Sequence, residues 1–144
     1  MMYYAVIDTN VFVSALLSSK SDSATVVILD KIFDGEIIPV YNREILTEYR
    51  EVLYRKKFHF TSDNVEPILT TVCSHGIVVD PTSTWETIPD MKDLPFYEVA
   101  MEKNKTDDTF LVTGNIKHFP VKPFIVTPRE MLDIINSSRL TAHN

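Results

Sequence analysis

The 144 residues carry 20 acidic and 14 basic side chains, a formal net charge of −6, with 44% hydrophobic and 24% charged residues. That length fits one domain with a substantial core, the acidic balance argues against nucleic-acid binding through the overall field, and the single cysteine, Cys73, excludes an internal disulfide or a cysteine-based zinc cage. No apolar run reaches the roughly 18 residues of a membrane span, and the N-terminal residues lack the pattern of a signal peptide, so a cytoplasmic protein is expected.

Residues 3–17 begin as a β-branched and aromatic run, break at Asp8-Thr9-Asn10, and resume as an apolar helical pattern. Asp8 therefore falls at the carboxyl end of a buried strand, the side where open α/β sheets bind ligands. Asn10 has the chemistry of an N-cap, and a tight strand-to-helix turn alone would also account for both residues. A helix follows over 24–33, closed by Gly35, then a strand over 36–40, where Pro39 implies an edge or terminal position.

Residues 42–57 are the clearest amphipathic helix, with Ile45, Leu46, Tyr49, Val52 and Leu53 on one face. Glu48 lies about 100° from the centre of that face, against about 140° for Glu44 and about 160° for Glu51. It is the acid on the margin, readable either as a cleft residue or as a solvated partner of Arg55. Arg55, Lys56 and Lys57 suit the helix's C-terminal dipole; with Phe58, His59 and Phe60 they also suit a rim for phosphates and unstacked bases.

A further helix over 61–74 is expected, capped by Ser62 or Asp63 and carrying Cys73 as a half-buried thiol, followed by a strand over 77–80. A polar connection holding Trp85, the sole tryptophan, leads to Asp93, well placed to N-cap a helix over 95–103. Strands over 109–113 and 124–127 complete the set, and Thr127 caps a last helix opened by Pro128. The domain is assigned to 1–137, with 138–144 as a disordered tail.

Alternating strands and helices imply an α/β domain whose mostly parallel sheet is covered on both faces. Asp8, Asp80 and Gly114-Asn115 fall at strand carboxyl ends, whereas Asp107 and Asp108 precede their strand and belong to the opposite end. Asp8, Glu48, Asp93 and Asn115 can then converge. Hard cations such as Mg²⁺ or Mn²⁺ prefer such oxygen ligands and keep bound water, and a cation there would polarise a phosphodiester and generate hydroxide. The positive charge would also offset the acidic balance. With three glycines in all, no phosphate-cradling or dinucleotide fingerprint exists.

The segments Val6-Ile7-Asp8-Thr9-Asn10-Val11-Phe12-Val13-Ser14-Ala15, Tyr41-Asn42-Arg43-Glu44-Ile45-Leu46-Thr47-Glu48-Tyr49, Asp90-Met91-Lys92-Asp93-Leu94-Pro95-Phe96 and Val112-Thr113-Gly114-Asn115 with Lys117 and His118 stand in the order and spacing of a PIN domain. The chain resembles that family over nearly its whole length, most closely the ribonuclease toxins of bacterial toxin–antitoxin pairs. The resemblance implies a single three-layer Rossmann-like domain with about five strands. It further implies a Mg²⁺- or Mn²⁺-dependent endoribonuclease, an RNA substrate, an antitoxin protein as partner, and self-association. Asp8, Glu48 and Asp93 are carried over as the acidic metal ligands. Many PIN domains have a fourth acid where this chain has Asn115, which accepts hydrogen bonds but carries no charge. Asn10 and Thr113 would orient Asp8 and bound water, and Asp90 could compensate for the absent acid. Arg55, Lys56, Lys57, Lys117 and His118 are candidates for RNA contact. Asn115 and the net charge also suit a second function, a catalytically weak PIN-like module that binds RNA or protein. A receiver domain phosphorylated on Asp8 is disfavoured, because the first strand lacks a paired acid cluster.

Overall fold

Ala5, Val6 and Ile7 run consecutively without a polar residue, and all three are fully buried, as a strand covered on both faces requires. That strand, β1 (Tyr3–Ile7), is the middle of a five-stranded sheet that is parallel throughout. The computed structural model describes residues 1–142. After β1 come α1 (Thr9–Leu17), α2 (Ala24–Phe33), β2 (Ile37–Tyr41), α3 (Arg43–Leu53) and α4 (Ser62–His75). Then follow β3 (Ile77–Val78), α5 (Leu94–Lys103), β4 (Thr109–Val112), β5 (Ile125–Val126) and α6 (Pro128–Ala142). Single 3-10 turns occupy Lys56–Phe58, Met91–Asp93 and Ile116–His118.

The strand order is β3-β2-β1-β4-β5. The chain steps outward from β1 to β3, then returns to β4 on the other side of β1. Helices α2 and α4 pack on β2, while α5 crosses β1, β2 and β4. The three-layer α/β architecture expected from the sequence is the one observed. Its reversal point lies between β1 and β4, and there a crevice opens at the carboxyl ends. Ile7 is in register with Val112, and the Asp8 amide extends the ladder to the Val112 carbonyl at 2.9 Å. Asp8 and Thr113 thus leave the sheet side by side.

Several local expectations are corrected. Pro39 does not mark an edge, because β2 lies between β1 and β3. β3 pairs only with Val40 and Tyr41, so the imino nitrogen of Pro39 costs no bond on that side. Helix α3 ends at Leu53, and Lys56 and Lys57 form a separate 3-10 turn closed by His59 in the left-handed region at φ +57°. Thr61, not Ser62 or Asp63, caps α4, through a capping box with Asn64. Cys73 is exposed. Helix α6 extends to Ala142, within the stretch assigned to the tail, and 143–144 lie outside the described residues. Met131, Leu132 and Ile135 bury the helix's inner face, while Arg139 pairs with Glu36, which Lys31 also meets at 2.8 Å.

Gly76 joins α4 to β3 where there is no room for a side chain. A Cβ there would lie 2.2 Å from the Val72 carbonyl oxygen and 2.8 Å from that of Pro39. Both neighbours are backbone, so neither yields cheaply. Gly76→Ala is expected to cost on the order of 1–3 kcal/mol, read as a lower urea midpoint at an unchanged slope. Among the described residues, no helix is long and apolar enough to cross a membrane.

Candidate active site

Asp8 takes the N-cap position of α1, with extended backbone at φ −62° and ψ 138°. The residue is only 4% exposed. Its Oδ2 accepts the Thr113 hydroxyl at 2.7 Å, and the same hydroxyl oxygen accepts the Asn115 amide at 3.0 Å. A hydroxyl has one proton to give, and here it goes to Asp8. Burial pushes the Asp8 pKa above the ordinary carboxylate value; the Thr113 bond, the amides of Asn10 and Thr9, and nearby His118 oppose that rise. Asn10 is not the cap itself, because α1 begins at Thr9 and the Asn10 side chain is exposed. It serves Asp8 through its backbone.

Helix α3 brings Glu48 to the same turn. Asn42 starts it, its side chain accepting the Ile45 amide at 2.9 Å, and the apolar stripe then turns Glu48 to the crevice margin. The Thr9 hydroxyl donates a short hydrogen bond to Glu48 Oε2. Burial raises the Glu48 pKa, Asp8 and Asp93 raise it further, and Thr9 and Arg55 act in the opposite direction. Glu48 is therefore one of a group of carboxylates, although Arg55 is indeed its neighbour.

Asp93 ends the Met91–Asp93 turn and stands at the N-cap position of α5 as expected, but its side chain makes no capping bond. Asp90 accepts the Lys92 amide at 3.0 Å, whereas Asp93 has helical backbone. Its carboxylate stays available, with Oδ2 3.4 Å from His118 Nδ1. Burial raises its pKa, as do Asp8 and Asp90, and His118 counteracts them. Asp8, Glu48 and Asp93 thus come from three separate elements and lie within electrostatic reach of one another.

Asn115 is joined to the site through its backbone amide, which donates to the Thr113 hydroxyl. Its side chain is exposed and lines a shallow pocket with Gly114, Lys117, His118 and Thr127. Of the basic candidates, Arg55 lines a cleft of about 520 Å³ between α3 and the start of α5, together with Glu48, Arg43, Lys92 and Phe96. Lys56 and Lys57 are exposed beyond it, Lys57 Nζ standing 5.1 Å above the Phe58 ring, which stacks on Phe60 at 5.3 Å. Lys117 is exposed, and His118 belongs to Asp93 as much as to solvent. Asp107 is tied to Lys103 at 2.5 Å ahead of β4, at the far end of the sheet.

Two contributors escaped the sequence reading. Thr9 lay inside the motif without an assigned task. Tyr49 counted only as an apolar residue, yet its hydroxyl donates to the Ile7 carbonyl at 2.5 Å. The available signal was a tyrosine within a stripe of Ile, Leu and Val, since a buried phenol finds a partner.

Three desolvated carboxylates, of which Asp8 raises the pKa of both Glu48 and Asp93, form a donor set suited to a hard divalent cation. Among the described residues no three His, Cys, Asp or Glu side chains are close enough to enclose an ion by themselves. The carboxylates would supply part of the coordination and water the remainder, which suits an open Mg²⁺-type site.

A family model described as PIN domain matches residues 4–117. An uncharacterized protein of Methanocaldococcus jannaschii is 28% identical over 116 residues, covering 76% of this chain and 69% of that protein. No solved structure matches with significance.

Proposed function

The chain belongs to the PIN-domain family, whose members are generally nucleases that use divalent metal ions, and we propose that this one is a Mg²⁺- or Mn²⁺-dependent endoribonuclease. The observation that carries the reading is the convergence of Asp8, Glu48 and Asp93 at the carboxyl edge of the sheet, each with a raised pKa. Those three side chains would hold the ion. Bound there, it would polarise an RNA phosphodiester and lower the pKa of a water toward neutrality.

The chain's own groups prepare that arrangement. Thr113 points its proton at Asp8, and Thr9 does the same for Glu48. Both carboxylates are therefore fixed before substrate arrives, which is the value of partners beyond the ligands themselves. Arg43, Arg55 and Lys92 line the adjoining cleft and offset phosphate charge despite the acidic balance of the chain. Purified protein should cut RNA internally with Mn²⁺ or Mg²⁺ and stop cutting with EDTA. Equal cleavage in both conditions would overturn the reading.

The finer proposal is that this nuclease is the toxin of a type II toxin–antitoxin pair, held in check by an antitoxin and self-associating. The resemblance of the four sequence blocks supports it. A cotranscribed small DNA-binding protein that silences cleavage on mixing would fit; unchanged cleavage in its presence would count against it. The alternative binding module draws on the neutral, exposed Asn115. Calorimetry separates the two, because a binding module would take up no Mn²⁺ at millimolar concentration.

A further inference from the structure

We infer that Tyr49 is the positioning residue that sets the spacing of the three carboxylates, an inference that rests on the metal-nuclease reading. Tyr49 is fully buried and follows Glu48 on α3. Its hydroxyl donates to the Ile7 carbonyl at 2.5 Å, the peptide that leads directly into Asp8. Its ring meets Phe12 of α1 edge-on, with centroids 5.0 Å apart and planes at 84°. On another side it lies 6.1 Å from Phe96, three residues past Asp93 at the start of α5. One side chain of the helix that carries Glu48 therefore meets the peptide and helix that flank Asp8 and the helix that begins just after Asp93.

The contacts differ in kind, and each fixes something different. The hydroxyl fixes the height of α3 along β1, because it is directional and satisfies a buried carbonyl. The two ring contacts fix the tilt of α1 and α5, since aromatic pairs at these separations favour defined angles. Phe12 and Phe96 are themselves almost wholly buried, at 0% and 1% exposure, so the aromatic trio cannot relax toward solvent. Burial pushes the phenol's pKa up, and Asp8 and Glu48 add to it. The phenol stays neutral and serves as a donor only.

The sequence explains why a tyrosine is needed. Phenylalanine would fill the same volume but leave the Ile7 carbonyl without this donor, and leucine would lose both aromatic contacts. Thr9 ties Glu48 to the turn just after Asp8, while Tyr49 ties the same helix to the peptide just before it. Two successive residues of α3 thus clasp the two sides of Asp8.

The test is Tyr49→Phe, followed by two readouts. In metal-free protein, backbone amide NMR should show shifts at Asp8, Thr9, Glu48 and Asp93 larger than at buried residues equally far from position 49. By calorimetry, Mn²⁺ affinity should fall about tenfold, the usual size of a loss beyond the direct ligands. Val72→Ala in α4, remote from the acids, serves as a control that lowers stability without moving either readout. A folded Tyr49→Phe protein with wild-type Mn²⁺ affinity overturns the inference, as do NMR shifts confined to residues 47–51. If the four shifts move but the wild type itself binds no Mn²⁺, the positioning role holds and the metal-nuclease reading fails. Should Tyr49→Phe not fold, Phe12→Leu keeps the hydroxyl and removes the edge contact, and the same criteria apply to it.

Discussion

Asp8→Asn is expected to lower metal-dependent RNA cleavage by at least about a hundredfold while leaving the fold as stable as wild type or more so. A bound ion supplies several kcal/mol of transition-state stabilisation, and each 1.36 kcal/mol is about tenfold in rate, so weakening its most buried ligand is costly. The stability effect has the opposite sign. Asp8 has a folded pKa above its ordinary value of 3.8, and the same direction holds for Glu48 from 4.5 and Asp93 from 3.8. An acid with a raised folded pKa binds more protons folded than unfolded, so its contribution is present below the unfolded value and is lost as pH rises through the folded one. Near neutrality, metal-free protein therefore holds crowded carboxylates at a cost that a neutral amide at position 8 would partly relieve. The amide oxygen introduced by Asp8→Asn would still accept from Thr113, and the NH₂ would face the remaining carboxylates. Urea melts in EDTA from pH 4 to 8 should show a shallower loss of stability for Asp8→Asn than for wild type. Cleavage equal to wild type, or a stability deficit of more than about 2 kcal/mol, would contradict this account.

That trade between charge and function also explains which parts of the molecule were legible in its sequence. The unbroken run ending at Ile7 could only be a strand covered on both faces, so the place of Asp8 at its carboxyl end followed. The helical period of α3 put Glu48, not Glu44 or Glu51, on the margin of the apolar face. Features that depend on which neighbour is chosen across space were not legible. Asp93 and Asp90 are three residues apart with the same chemistry, and the sequence could not show that Asp90 would cap a separate 3-10 turn while Asp93, at the N-cap position of α5, makes no capping bond. Asn115 satisfied the spacing of a site residue, but the spacing could not show that its backbone amide would donate to the Thr113 hydroxyl. Pro39 looked like an edge marker because local rules do not reveal how little of β3 pairs with it. The ion pair of Arg139 in α6 with Glu36 joins residues 103 apart, a pairing that no local pattern announces.

Thr113→Val is expected to weaken Mn²⁺ binding by about 10- to 100-fold and to cost about 1–3 kcal/mol of stability. Thr113 is fully buried at the end of β4, and valine replaces its hydroxyl with a methyl of similar size. The substitution removes the donor to Asp8 Oδ2 and the acceptor for the Asn115 amide together. Asp8 then keeps its desolvation and loses the strongest of the interactions that offset it, so its pKa should rise further above 3.8. A carboxylate harder to ionise is a poorer ligand, and the deficit in metal binding should narrow as pH increases. Thr113→Ser retains the hydroxyl and should recover most of the affinity; calorimetric Mn²⁺ titrations at pH 6 and pH 8 compare the three proteins. A loss for serine as large as that for valine would mean that the methyl and its packing matter as much as the hydrogen bond, and would overturn the assignment of the effect to the hydroxyl. The contrast with Asp8→Asn is the sharper test. Thr113→Val removes the donor of a 2.7 Å bond, whereas Asp8→Asn keeps an acceptor there and removes the charge; both should impair metal binding, and they should move stability in opposite directions. Only a buried charge held for a ligand's sake, and stabilised by its neighbour, predicts that pairing of outcomes.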